Sequence, residues 1–206
     1  MTVSERGAPP QAGATRADQQ RHRMLTVSAE IFSRRGFRAT SMNEIAAAVG
    51  LSKPTLYHYF SSKEEMLVRL YSDVLDESLG LAREVVDRAP TPLDAVRELI
   101  SSRVAYTCRN QDLLKVCFEE EHELPTALAE QLLRRRRAYE DVFLTVLDDH
   151  LRANPSVDLG MPPKVWVNMC LGAANWTYKW YRPSGRDTPE QLGDRIAAGL
   201  TAGITG

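Results

Sequence analysis

Within seven residues this chain sets a cation, a short hydroxyl, two phenols and an imidazole: Lys53, Thr55, Tyr57, His58 and Tyr59. Such a set suits a polyanion that also presents flat bases. Lys53 can neutralise a phosphate or donate to a guanine edge, and Thr55 is short enough to admit a close backbone. Tyr57, His58 and Tyr59 offer hydroxyl and ring contacts. Thr40, Ser41, Ser52 and Lys63 flank the set with hydroxyls and a second cation, where helices are expected to start and to present free N–H groups to phosphate. Arg21 and Arg23 can reach a flanking groove. Leu56 and Phe60 are expected to bury, with one of Tyr57, His58 and Tyr59 packing inward beside them.

The local sequence says how such a surface would be held. Ser41 followed by Glu44 is a capping box, so a helix begins there. Ile45, Ala46 and Val49 give it an apolar stripe, and Gly50 supplies the left-handed residue that ends it. Leu51 fills the corner. Ser52 can cap the next helix, with Pro54 in its first turn, where a missing N–H costs nothing. Ser61 or Ser62, followed by Glu64 or Glu65, starts another. Two short helices joined by a tight turn form a helix-turn-helix, whose second member, about Lys53 to Tyr59, fits the major groove of DNA.

From Met24 to Leu67 the chain resembles the DNA-binding domain of the TetR family of one-component bacterial regulators. The resemblance is carried by Phe32-x-x-x-Gly36, Thr40-Ser41, Ile45-Ala46, Gly50-Leu51-Ser52, Thr55-Leu56-Tyr57-x-Tyr59-Phe60 and Ser62-Lys63-Glu64. It implies an all-α homodimer with a three-helix DNA-reading head and a larger body that binds a ligand and dimerises. The expected division is a disordered arm over residues 1–17, the helix-turn-helix domain over 18–62, and the ligand-binding and dimerisation domain over 63–206. Two heads on a pseudo-palindromic operator would supply the affinity that one small head lacks.

Composition agrees with a folded, DNA-facing protein. A chain of 206 residues, 43% of them hydrophobic, can bury a substantial core. No run of about 18 apolar residues is present, so no membrane-spanning helix is expected. Residues 1–17, rich in Pro, Gly, Ala and Ser, lack the apolar stretch of a signal peptide, and a cytoplasmic location follows. The net charge of −1 conceals an asymmetry: residues 1–63 carry nine Lys/Arg against four Asp/Glu, the rest seventeen against twenty-three. A basic head on an acidic body turns the correct end towards phosphate. Cys108, Cys117 and Cys170 are odd in number and far apart, and read as small buried residues rather than a zinc site or disulfide framework.

The body is helical in spacing throughout. Leu67, Leu70, Val74 and Leu81 predict a helix over 63–87, and Thr91-Pro92 opens one carrying Val96, Leu99, Ile100 and Val104. Further helices are expected near 113–121, from Pro125 to about 151, over 163–181, and from the capping box Thr188-Pro189-Glu190-Gln191. Gly172, Ala173 and Ala174 on the penultimate helix, and Ala197, Ala198 and Gly199 on the last, let helix axes approach closely. With Trp176, Leu192, Ile196 and Leu200 they make the expected dimer seam, unless they pack within one protomer.

Asn175, Trp176, Tyr178 and Trp180 belong either to core and seam or to the wall of an apolar pocket, with Asn175 and the indole N–H groups orienting a polar head. The run Asn175-Trp-x-Tyr-x-Trp-Tyr-Arg-Pro-x-Gly185 resembles the C-terminal signature of TetR-family regulators of fatty-acid and steroid degradation. This implies an acyl-CoA thioester as effector; a different hydrophobic metabolite or drug is the alternative. Arg134 to Arg137 wrap around a helix and cannot all face one ligand. They form a solvated face or pair with Glu119–Glu121; with a CoA effector, one or two of them, Arg134 and Arg137 among them, would hold its phosphates.

Catalytic grammar is sparse. Glu119-x-x-His122 has the spacing of a di-iron helical bundle, but that site needs the motif twice, and no second copy occurs. No Gly-rich phosphate loop, nucleophile elbow or Cys–His arrangement is present. A metal-binding helical protein using Cys117, Glu119 and His122 is the reading of another class. With the resemblance, the sequence implies a ligand-responsive repressor, not an enzyme, that holds no resident cofactor or metal and binds double-stranded DNA, its own copy and a small hydrophobic effector.

Overall fold

A computed structural model describes residues 15–205. The arm expected over residues 1–17 lies outside the described residues as far as residue 14. The last three positions are corrected: Thr15 is the cap of helix α1, Arg16–Arg35. Its hydroxyl accepts from the Asp18 N–H while the Asp18 carboxylate accepts from the Thr15 N–H, a capping box that starts the helix two residues before the expected Asp18. The Thr15 hydroxyl, and after it the Thr15 N–H, donates to the Asp18 carboxylate and holds its carboxyl below the ordinary range.

The head continues through α2, Met42–Val49, and α3, Lys53–Tyr59. Ser41 and Glu44 form the expected capping box, and Gly50 ends α2 at φ 75°, the left-handed conformation. The Ser52 hydroxyl accepts from the Thr55 N–H at the start of α3. Phe32, Phe37, Ile45 and Leu56 are buried in one core with Met66 and Leu67 of α4, Lys63–Arg88, and Val116 of α6, Gln111–Glu119. Each such side chain contributes about 1.5–3 kcal/mol by leaving water. The head core is therefore closed from below by body helices. Of the two serines before α4, Ser62 is the cap, accepting from the Glu65 N–H, while Ser61 donates to the Glu65 carboxylate.

In the body, α5, Pro92–Arg109, is wrapped by α4, α7, Thr126–Ala153, α8, Pro163–Trp180, and α9, Pro189–Thr201. Val96, Leu99, Ile100, Val104 and Cys108 are buried along one side, and Ala95, Ala105 and Tyr106 extend the burial around its circumference, as expected for a central helix. Phe143 and Leu147 of α7 with Trp166 and Val167 of α8 complete the main core. A 3-10 turn, Glu121–Glu123, joins α6 to α7. No strand occurs among the described residues, and none of their helices is long and apolar enough to cross a membrane.

Helix α9 turns part of the apolar stripe expected at the seam towards its own protomer. Ala197 is buried, and Leu192, Ile196 and Leu200 are partly buried against the core around α5, within the protomer. The reason is Gly193: a Cβ there would lie 2.5 Å from the Ser101 carbonyl oxygen, so α9 and α5 meet backbone to backbone. Gly193→Ala is expected to destabilise the fold by about 1–3 kcal/mol. Gly80→Ala, in α4 with open space around its Cβ, should stabilise it by about 0.5–1 kcal/mol. Urea unfolding of both variants checks the pair; a neutral Gly193→Ala would contradict the close packing.

Candidate nucleic-acid interface and effector cavity

Helix α3 turns Leu56 into the head core and leaves Lys53, Thr55, Tyr57 and His58 exposed. Tyr57 is 43% exposed, unusual for a large ring in a small head, and the Lys53 ammonium lies 5.7 Å from its centre. That i, i+4 pair shares one helix face. Tyr59 is the aromatic that packs inward, half-buried on the head core with the Arg21 guanidinium 5.7 Å from its ring. Beside α3 a groove of about 400 Å³ runs between the starts of α2 and α4, lined by Ser41, Asn43, Lys53, Tyr57, Ser61 and Lys63. Two helix N-termini and two ammonium groups around one groove suit a phosphate backbone. Sequence reading passed over Asn43 and Ser61; their places at helix starts were the available signal.

Thr40 and Lys63 stand differently from expectation. Thr40 is 3% exposed and donates its hydroxyl to the Gly36 carbonyl, so its side chain closes the turn after α1 rather than offering itself to a ligand. The Lys63 ammonium donates to the carbonyls of Phe37, Arg38 and Thr40 at 2.8, 3.1 and 3.0 Å. It lines the groove while tying the α1–α2 turn to the start of α4.

The aromatic segment of α8 divides between two faces. Val165, Met169, Trp176 and Trp180 are exposed at 51, 43, 59 and 47%, at spacings that align them along one side of the helix. Gly172, on the same side, has no atom within 4 Å of a Cβ position. Trp176 and Trp180, expected as pocket walls, thus stand on the outside; Trp176, Gly172 and the half-buried Ala173 remain available to a seam. The residues that face inward are Asn175 and Tyr178. Asn175 accepts from Arg103 Nε at 2.7 Å. Tyr178 is buried and donates to Glu119 at 3.3 Å.

Arg103 opens a region that sequence reading missed, because nothing distinguishes it from Arg97 and Arg109 on the same helix. It borders a nearly closed cleft of about 10 Å³ between α4, α5 and α7, with Ser78, Ser102, Tyr106 and Tyr139 among its walls. Burial pushes the phenols of Tyr106 and Tyr139 well above their ordinary range, with the nearby Glu77 carboxylate adding to the effect at Tyr106. Both stay protonated.

The family model for the tetracyclin repressor-like C-terminal domain matches residues 89–204, and that for bacterial regulatory proteins of the tetR family matches residues 24–70. The chain belongs to the TetR family. It is 27% identical to the HTH-type transcriptional repressor KstR2 of Mycobacterium tuberculosis over 199 residues, 93% of this chain and 96% of the relative. The solved structure of that ketosteroid transcriptional regulator superposes with a TM-score of 0.82 at 24% identity, covering 95% of this chain and 97% of the other. AibR, in complex with isovaleryl coenzyme A and operator DNA, gives a TM-score of 0.75 at 25% identity, over 88% and 97% of the two chains.

In this TetR protein the head is pinned to the body through α6. The Phe37 N–H donates to Glu120 at 3.2 Å, Arg38 pairs with Glu123, and Lys115 and Asp112 hold the Ser33 carbonyl and hydroxyl. At the other side of α6, Glu119 pairs with Lys179, and Gln111 donates to the carbonyls of Tyr178 and Tyr181. The Glu119 hydrogen bond raises the Lys179 pKa. Glu119 is therefore turned to α8, not to His122, and the metal reading built on that pair gains no support. His122 lies instead 3.1 Å from Glu123, in an acidic group with Glu120 that faces the head.

The arginine run of α7 is mostly paired. Arg134 lies 3.7 Å from Glu130, Arg135 3.0 Å from Asp76, and Arg136 3.2 Å from Glu140 and 3.9 Å from Glu121. Arg137 is exposed, with no ion pair among the described residues. Helical spacing puts Arg135 and Arg136, rather than Arg134 and Arg137, on the face of Tyr139 that borders the cleft.

Tyr57→Ala is expected to weaken operator binding by about tenfold or more while leaving dimerisation and unfolding unchanged. Lys63→Met should do more: it leaves three carbonyls short of their donor and lowers stability by about 1–3 kcal/mol as well. Salt-controlled operator titration beside thermal unfolding separates the two roles. Equal stability losses in both variants would contradict the assignment.

Proposed function

We propose that the chain is a cytoplasmic, homodimeric repressor that grips a pseudo-palindromic operator through two heads and releases it when an acyl-CoA thioester enters the body. One observation carries this reading. The turn after α1 is bonded to the α6–α7 corner, and α6 in turn is bonded to α8. A body that changes shape beside α6 therefore turns the head. Lys53, Thr55, Tyr57 and His58 read the groove of DNA, Ser41, Ser52 and the two helix starts take phosphate, and Tyr59 supports them from beneath. The exposed side of α8, with Trp176, Gly172 and Ala173 beside Ala198 and Gly199 of α9, meets a second copy, whose head then lies about one helical turn of DNA away, roughly 34–36 Å.

The effector enters between α4 and α7. The cleft, about 10 Å³ in this conformation, is far smaller than a ligand of that class needs, so it must widen. Widening displaces α4, the helix that carries the head. A CoA pyrophosphate left at the mouth competes with Asp76 for Arg135, and Arg134, Arg136 and Arg137 add positive charge around it. The effector shifts the equilibrium only by its preference for the widened state. The repressor sense is supported by the KstR2 relatives, and the thioester class by the AibR structure with isovaleryl coenzyme A.

A gel shift on the DNA upstream of the protein's own gene, with and without a panel of CoA thioesters, tests the proposal. Release by at least one thioester is expected, and release by none discards the class. Replacing Glu120 and Glu123 together by Ala should leave operator affinity within a few-fold yet blunt release by about tenfold, since the corner no longer passes the motion to the head. Undiminished release in that variant would show that coupling runs elsewhere.

A further inference from the structure

We propose that Arg103 is an anion anchor at the inner end of the effector cleft, and that the effector accordingly carries a carboxylate on the portion that enters the body. The inference rests on the effector reading above and names the chemistry that reading leaves open. Arg103 is 8% exposed, in the middle of the central helix. Its Nε donates to Asn175 at 2.7 Å and its Nη1 to Ser78 at 2.8 Å, both neutral acceptors. Among the described residues no carboxylate lies within ion-pair distance of it, and Nη2 has no protein acceptor. The guanidinium is thus held at Nε and at Nη1, and Nη2 remains for an anionic partner.

Burying a cation without a counter-charge is costly, and proteins do so where a ligand supplies the charge. What surrounds Arg103 lowers that cost without cancelling it. The rings of Tyr106 and Tyr139 lie 5.7 and 5.5 Å from its guanidinium carbon, in cation–π range. The walls facing it from α4, α5, α7 and α8 are Ser78, Ser102, Tyr139 and Asn175, all uncharged. Glu77, the acid that Tyr106 touches, is exposed and accepts from the Tyr106 hydroxyl at 2.9 Å. A carboxylate reaching Nη2 would make a charge-assisted hydrogen bond and supply the missing counter-charge, with the hydroxyls of Ser78 and Ser102 lining the same cleft. A plain hydrocarbon chain would leave the charge unanswered.

The carboxylate could belong to a free dicarboxylic acid or to the far end of a dicarboxylic acid joined to CoA at the other, and the test separates them. The full-length protein, Arg103→Met and Arg103→Lys are titrated with adipyl-CoA, hexanoyl-CoA and free adipate, with succinyl/butyryl and suberyl/octanoyl pairs covering other lengths. Thermal stabilisation and operator release are both read. The wild type should favour the carboxylate member of a matched pair by about tenfold or more, because a site built to bond a polar group rejects the analogue lacking it. Arg103→Met should keep operator affinity and the response to the plain thioester but lose the preference. Arg103→Lys, which keeps the charge without the guanidinium and guards against a folding failure of the Met variant, should retain a reduced preference. Free adipate acting as strongly as its thioester upholds the anchor and overturns the thioester reading instead. Thioesters that act with no preference for the carboxylate, or a preference that survives in Arg103→Met, overturn the anchor alone. Indifference to every pair and to adipate overturns both.

Discussion

The Lys63 ammonium sits where head and body meet, taking the carbonyls of Phe37, Arg38 and Thr40 at the first residue of α4. Those carbonyls belong to the turn after α1, where only that of Phe37 has a backbone donor, the Thr40 N–H, and the others would otherwise need water. With the Phe37 ring 4.6 Å from the same ammonium, one side chain fixes the direction in which α4 leaves the head. Every later relation between recognition helix and body follows from that direction. The 26 residues of α4 then span about 39 Å, long enough to run from the DNA groove to Ser78 and Ala82 at the cleft.

A lever needs a second attachment, or the head would only tilt passively with α4. Glu120 and Glu123 supply it, gripping the Phe37 N–H and the Arg38 side chain of residues whose carbonyls Lys63 holds. The same short turn is thus held from two directions, by the start of α4 and by the corner after α6. If these two supports shift relative to one another, the turn and the helices packed on it must rotate, because the head core is close-packed and shared with both. The surface pairs in this arrangement are individually weak. Their value is positional: they fix register between elements whose burial supplies the stability.

Legibility in the sequence followed the range of the interaction. Helix starts were plain because a cap is decided by residues three apart, as at Ser41–Glu44 and Thr188–Gln191. Thr15–Asp18 obeys the same rule, and was passed over only because the surrounding composition resembled a tail. Faces were harder. Leu192, Ile196, Ala197 and Leu200 form an apolar stripe that suits a second copy or α5 equally; the choice depends on Gly193 meeting Ser101, a contact across 92 residues. Trp176 and Trp180 read as pocket walls from their chemistry, while their orientation is set by which side of α8 packs on α5. Arg103 was silent because nothing local marks an arginine as buried: its partners Ser78 and Asn175 come from 25 residues before and 72 after.

The closed cleft also settles how large a response the body can generate. A ligand that fits both conformations equally shifts nothing, however tightly it binds, whereas moving a two-state balance from one extreme to the other takes about 5.5 kcal/mol of preference. A cleft of about 10 Å³ in this conformation excludes a bulky effector by volume alone. Nearly all of that ligand's binding energy then counts as preference for the widened state. An uncompensated guanidinium at the inner end works in the same direction, since the charge is answered only when an anion has travelled the whole depth of the cleft. Partial entry by a shorter or neutral molecule would pay for widening without gaining that contact. Steric exclusion at the mouth and a buried charge at the end together make the response steep with respect to effector chemistry, and neither requires the head to touch the ligand.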